Sequence, residues 1–171
     1  MKTKFFPKGV QGDYVKPIPD EPDYASGYSN GLAYRIIRHP VMGHLCGYVK
    51  LTKHHPLYKA ATAKIIRPKW GRPGQVETVR RGYNQRDLAS LDVHGGVTFF
   101  DKLSWARGYW VGFDCAHYDD TVPAMIVFGG LPKEYQGVYR DVAFVKEQID
   151  QLAQQLASMA ASFGSYQNRR G

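Results

Sequence analysis

His94, Asp114, Cys115 and His117 are the residues whose types could do chemistry together. They sit in two short stretches, VHGGVT over 93–98 and GFDCAH over 112–117, with Asp119 and Asp120 close behind. Two imidazoles facing a phosphate can serve as general base and general acid. His94, Cys115 and His117 are also acceptable zinc ligands, with Asp114 or Asp120 to complete four. A Cys115 nucleophile would take either histidine as base and Asp114 or Asp120 to orient it, while Gly95 and Gly96 bare backbone N–H groups to an oxyanion.

Each of these readings meets a limit. Cys-x-His with one distant His fits no standard structural zinc spacing. Cys115 follows an apolar run and does not open a helix, so no dipole lowers its pKa. The histidines lack a paired H-x-[ST] pattern, since His94 is followed by two glycines before Thr98. His55 is a third imidazole that could join such a pair. Capture of a phosphorylated, nucleotide-like small ligand needs no unusual pKa and is the preferred reading. Its binding residues would be His94, Gly95, Gly96 and Thr98, with Arg80 and Arg81 for phosphate and Trp110 to stack a base. A hydrolase or phosphodiesterase using His94 and His117, with or without zinc, is the alternative; the capture reading needs no cofactor. In the bland reading the histidines are satisfied core imidazoles and the glycines mark a bulge.

The elements that must position these residues are two strands, Val93–Phe100 and Tyr109–Phe113, rich in Val, Phe, Trp and Tyr. Side by side, they would bring the four residues to one patch. Leu32–Arg38 and Leu45–Leu51 read as further strands, Lys64–Arg67 and Gln75–Arg80 as a hairpin around WGRPG, and Pro123–Phe128 as a short strand or buried edge. Val142, Val145, Ile149, Leu152, Leu156 and Met159 step by 3 and 4 along one helix face, with Asp141 at the N-cap position. That stripe suits packing on a sheet better than pairing with a second copy, although a homo-oligomer through the helix remains open. The expected fold is α+β: a small, mostly antiparallel sheet with the C-terminal amphipathic helix packed on one face. An irregular arm (1–30) precedes a single domain (31–162) with a basic insertion at about 59–90, and 163–171 form a flexible tail.

Charge is concentrated. Ten basic residues between Lys50 and Arg86 face one acid, Glu77, in a chain whose net charge is +8. Such an excess points to a phosphorylated partner or to nucleic acid. Duplex DNA is the weaker choice, because no helix gathers the positive charge for a major groove. Two cysteines are too few for a disulfide framework, and no apolar run is long enough for a signal peptide or a membrane span. The expectation is a cytoplasmic protein with reduced thiols and no membrane partner.

The order GYVKL–HHPLY, DVHGGVTF, WVGFDCAHYDD and VYRDVAFVKEQIDQLAQQL resembles a family of small uncharacterised proteins common in bacteriophage and prophage genomes. The resemblance spans about Gly47 to Leu156, interrupted by 59–90. It implies action inside a bacterial host cell and no particular activity.

Overall fold

A computed structural model describes residues 20–62, 66–68, 76–78, 88, 90–129 and 137–168. Its centre is a five-stranded antiparallel sheet in the order β1-β2-β3-β7-β6, formed by Tyr24–Ser29, Leu32–Arg38, Leu45–Lys50, Ala106–Asp114 and Phe99–Leu103 respectively. Ile66–Pro68 (β4) and Val76–Thr78 (β5) pair as a separate two-stranded ribbon, in keeping with the expected hairpin. Beside the sheet the described residues form helices α1 (Pro56–Thr62), α2 (Pro123–Gly129) and α3 (Val142–Asn168), and Leu88 is also helical.

Strand alternation divides the sheet. Leu45 and Val49 of β3 and Val111 and Phe113 of β7 point to the face that α3 covers. From the helix, Val145, Ile149, Leu152, Ala153 and Leu156 meet them, and none of these five exposes any surface. Burying one Leu or Ile in this way contributes about 1.5–3 kcal/mol. The stripe therefore packs on the sheet, and the α+β expectation holds. The Asp141 carboxylate accepts the Phe144 N–H at 2.8 Å, the N-cap bond foreseen from the sequence.

Besides helix α1, which with Leu57, Ala60 and Ala61 buried takes up the start of the stretch read as a basic insertion, four elements differ from the sequence reading. The supposed arm ends in a strand: β1 joins β2 through Asn30-Gly31, whose φ angles of +49° and +75° are those of a primed two-residue turn. Just before it, Glu21 accepts hydrogen bonds from Arg38, Tyr139 and the Val142 N–H, which ties residues 20–23 to the start of α3. Pro123–Phe128 is helical, with proline at the first helical position where its missing N–H costs nothing. The run from Val93 is a turn before it becomes a strand, since β6 begins at Phe99. Helix α3 continues through Asn168, into the stretch expected as a tail.

Pro56 likewise opens α1, and His55 serves that helix. The buried imidazole accepts the Leu57 N–H on Nδ1 and bonds the Leu156 carbonyl through Nε2 at 3.1 Å. It is a satisfied core histidine, clasping α1 to α3. Cys46 and Cys115 are both free and buried. No described helix is long and apolar enough to cross a membrane.

Candidate functional site

The site forms where the end of β7 passes the turn at residues 93–96. That turn is closed by the Gly96 N–H on the Val93 carbonyl at 2.8 Å, with Gly95 at φ +65°, a left-handed angle that suits glycine at the second central position. Helix α3 straps the segment down: Gln148 Oε1 accepts the His94 N–H, and Gln155 bonds both backbone groups of Asp92. The His94 ring stands edge-on to Phe144, with centroids 5.1 Å apart. Its orientation is thus fixed by the stripe of α3 that flanks the core face.

Beyond β7 the chain folds back on itself. The His117 N–H donates to Asp120 Oδ2 at 3.0 Å, and the Asp120 N–H donates to the His117 carbonyl. Residues 119–121 then run beside Val138, and this bridge brings Arg140 to the Asp120 carboxylate. Arg140 Nε lies 2.9 Å from Oδ1, while His94 Nε2 lies 2.8 Å from Oδ2 and 3.0 Å from Oδ1. The Asp120 side chain has no exposed surface. Burial alone would raise its pKa, but Arg140, His94 and the His117 N–H outweigh that and hold the carboxyl below its usual range. With Asp120 ionised, His94 must carry its proton on Nε2 to donate to it.

His117 completes the cluster. Its ring centroid is 5.3 Å from that of His94, and donor atoms of His94, His117 and Asp120 all lie within 4.8 Å of one another. His117 Nε2 is buried and makes no hydrogen bond; Asp114 Oδ1, at 3.9 Å, is too far to provide one. A Cβ on Gly95 would sit 1.7 Å from that nitrogen. Glycine is therefore required there by the approach of His117 as well as by its own φ. Two histidines and a carboxylate so placed form a possible metal site, with three ligands of the kinds that bind zinc. The three ligand atoms lie within 4.8 Å of one another, against roughly 3.3 Å between two tetrahedral zinc ligands, so a cation would take the place of the His94 proton facing Asp120 and draw the set together.

The structure brings together His94, Gly95, Asp114, His117 and Asp120 of the residues singled out from sequence. Gly96 shares their turn, but nothing lies within 4 Å of the position its Cβ would take. The others go elsewhere. Cys115 is buried, and burial together with nearby Asp120, Cys46 and Asp114 pushes its thiol well above the ordinary range, the opposite of a nucleophile or metal ligand. Asp120 stands in the place the sequence reading gave to Cys115. Thr98 donates its N–H to the Gly112 carbonyl and extends the sheet ladder. Trp110 is only 2% exposed, and it lies beneath Arg35 and Lys50 on the opposite sheet face, so it cannot stack a ligand at the cluster. Arg80 and Arg81 lie outside the described residues.

Arg140, Phe144, Gln148 and the buried His44 were not singled out. Arg140 belongs to the YRD motif that leads into the final helix. His44 stacks on His39 at 4.9 Å, and its Nδ1 also makes no hydrogen bond. Comparison with protein-family models, curated proteins and solved structures finds no match for this chain, so the site's chemistry rests on these side chains.

Proposed function

We propose that the protein holds a divalent transition metal of the zinc class on His94, His117 and Asp120, and through it binds and hydrolyses a phosphorylated, nucleotide-like ligand. The observation that carries this reading is the cluster itself: one ring nitrogen each of His94 and His117 and a carboxylate oxygen of Asp120 lie within 4.8 Å of one another, and His117 Nε2 is buried without a hydrogen bond. A bare anion is a poorer fit to the same place, because Asp114 and Asp120 put two carboxylates beside the histidines. A cation between them reverses that field and attracts phosphate oxygen. Three protein ligands leave a position for water, whose pKa zinc lowers toward neutrality. Arg140 supports the carboxylate from outside and fixes its direction. The basic excess between Lys50 and Arg86 favours a phosphorylated partner for the chain as a whole, its members Lys50 and Lys53 lying at the other end of the sheet from this cluster. The resemblance to bacteriophage proteins makes a host nucleotide signal a sensible target.

Capture without turnover is the second reading, favoured by that same basic excess. Elemental analysis after extensive dialysis should find one metal per chain in the natural protein and none in His117→Ala. Equal metal in both would overturn the site. Zinc-loaded protein is then incubated with bis(4-nitrophenyl) phosphate and a panel of cyclic nucleotides. Cleavage that a chelator stops and zinc restores supports hydrolysis; a ligand recovered intact from the denatured protein supports capture.

A further inference from the structure

A cavity lies at the other end of the sheet. Lys50 ends β3 and Arg107 stands near the start of β7, whereas the histidine cluster adjoins Cys46 and Asp114 at the opposite ends of the same two strands. Four residues of strand place Lys50 about 13 Å from Cys46. The cavity, of about 470 Å³, opens between the β1–β2 hairpin and the first turns of α1. Lys50, Lys53 and Arg107 line it, with Tyr28 and Tyr58, and among the described residues no carboxylate does. Among the described residues none of these three cations is ion-paired; Lys50 rests over the Trp110 ring instead, 5.8 Å from its centroid.

The wall is shaped to stay open. Gly108 has φ +92°, and a Cβ there would come within 3.0 Å of Lys50 Cε and 3.8 Å of the Tyr58 ring. Tyr58 is braced edge-on against Tyr109, centroids 5.3 Å apart, so its ring is held in place. Tyr28 leaves 79% of its surface exposed at the rim. Three uncompensated positive charges around one concavity focus an anion, and tyrosine faces beside them suit a flat ring. The volume is within the range that encloses a small organic ligand.

We infer that this cavity is a binding site for a nucleoside monophosphate, with Lys50, Lys53 and Arg107 on the phosphate and Tyr28 or Tyr58 against the base. The site is independent of the histidine cluster and stands whether or not that cluster holds metal.

Calorimetric titration of the full chain with the four ribonucleoside 5′-monophosphates, with adenosine and with inorganic phosphate tests it. At least one monophosphate should bind one-to-one, and adenosine and phosphate alone at least about tenfold more weakly. The double variant Lys53→Ala/Arg107→Ala alters two exposed side chains, keeps the fold by circular dichroism, and should weaken binding at least about tenfold. Titration in excess EDTA, which keeps the histidine cluster free of metal, should give the same affinity. Absence of monophosphate binding, an unchanged affinity in the double variant, or loss of binding in EDTA would each overturn the assignment. So would tighter binding of a single-stranded oligonucleotide whose log–log salt slope reports several phosphate contacts, since the cavity would then be part of a nucleic-acid track.

Discussion

The His94 imidazole and the Asp120 carboxylate meet head-on, with Nε2 2.8 Å from Oδ2 and 3.0 Å from Oδ1. The two residues are 26 positions apart, and neither lies in a strand or helix. Their meeting depends on three separate pieces of architecture: the strap from Gln148 to the His94 backbone, the fold-back of 117–120, and the bridge that delivers Arg140. One buried carboxylate thus ties the loop before β6 to the segment leading into α3.

Removing that carboxylate should be costly. Asp120→Ala leaves Arg140 and His94 without their acceptor and frees the His117 N–H. Breaking a buried ion pair by removing one partner costs about 3–5 kcal/mol. Urea unfolding should show a loss of that size, and a loss under about 1 kcal/mol would mean that Asp120 is not the tie it resembles.

Acid should unfold the protein in two stages. Burial holds His44 and His55 below the usual histidine range; His39 adds to the effect at His44, and the Leu156 carbonyl opposes it at His55. A depressed folded pKa means that the unfolded chain binds the proton first. Stability is therefore full above the unfolded value of about 6.5 and falls as pH drops from there through the folded values. Asp120, also depressed, adds a second loss beginning near the unfolded carboxylate value of about 3.9. Melting temperatures from pH 8 to pH 3 should trace both falls, and His55→Gln should reduce the upper one. A profile flat from pH 7 to pH 5 would contradict the assignment.

The helix and the sheet were legible because their signals are local and periodic. The α3 stripe and its Asp141 cap needed only the 3.6-residue repeat, and β2, β3 and β7 only their runs of β-formers. Asn30-Gly31 was equally readable as a hairpin turn but was hidden by the prolines before it. Pro123–Phe128 has no polar residue to reveal a period, so only proline at the helix start distinguished helix from strand. Of the site, His94, Asp114 and His117 could be named from residue type. Choosing Asp120 over Cys115 required knowing that the chain folds back after β7. Arg140 reaches that carboxylate through a bridge between residues 120 and 138, which no sequence period encodes.

The start of α3 offers a cleaner stability test. Asp141→Ala removes the acceptor of the Phe144 N–H and should cost about 0.5–2 kcal/mol, whereas Asp141→Asn, still a good cap, should cost less than half as much. Because Phe144 also braces His94, a change in the His94 ring resonances by NMR should accompany Asp141→Ala. Equal stability of the two variants would assign the effect to charge and not to the cap.

Neighbouring glycines provide the sharpest test of His117. Gly95 and Gly96 both have left-handed backbones, with φ +65° and +81°, so alanine at either should cost about 1–2 kcal/mol from conformation alone. They differ in what a methyl group meets. At Gly95 it would lie 1.7 Å from His117 Nε2; at Gly96 nothing stands within 4 Å. The His117 ring must therefore move in Gly95→Ala and can stay in Gly96→Ala. If His117 is a metal ligand, competition against a chromophoric chelator should show zinc affinity falling at least about tenfold in Gly95→Ala and remaining near that of the natural protein in Gly96→Ala. The comparison cancels the shared backbone cost, so equal zinc affinity in the two variants would remove His117 from the ligand set, even if both proteins were destabilised.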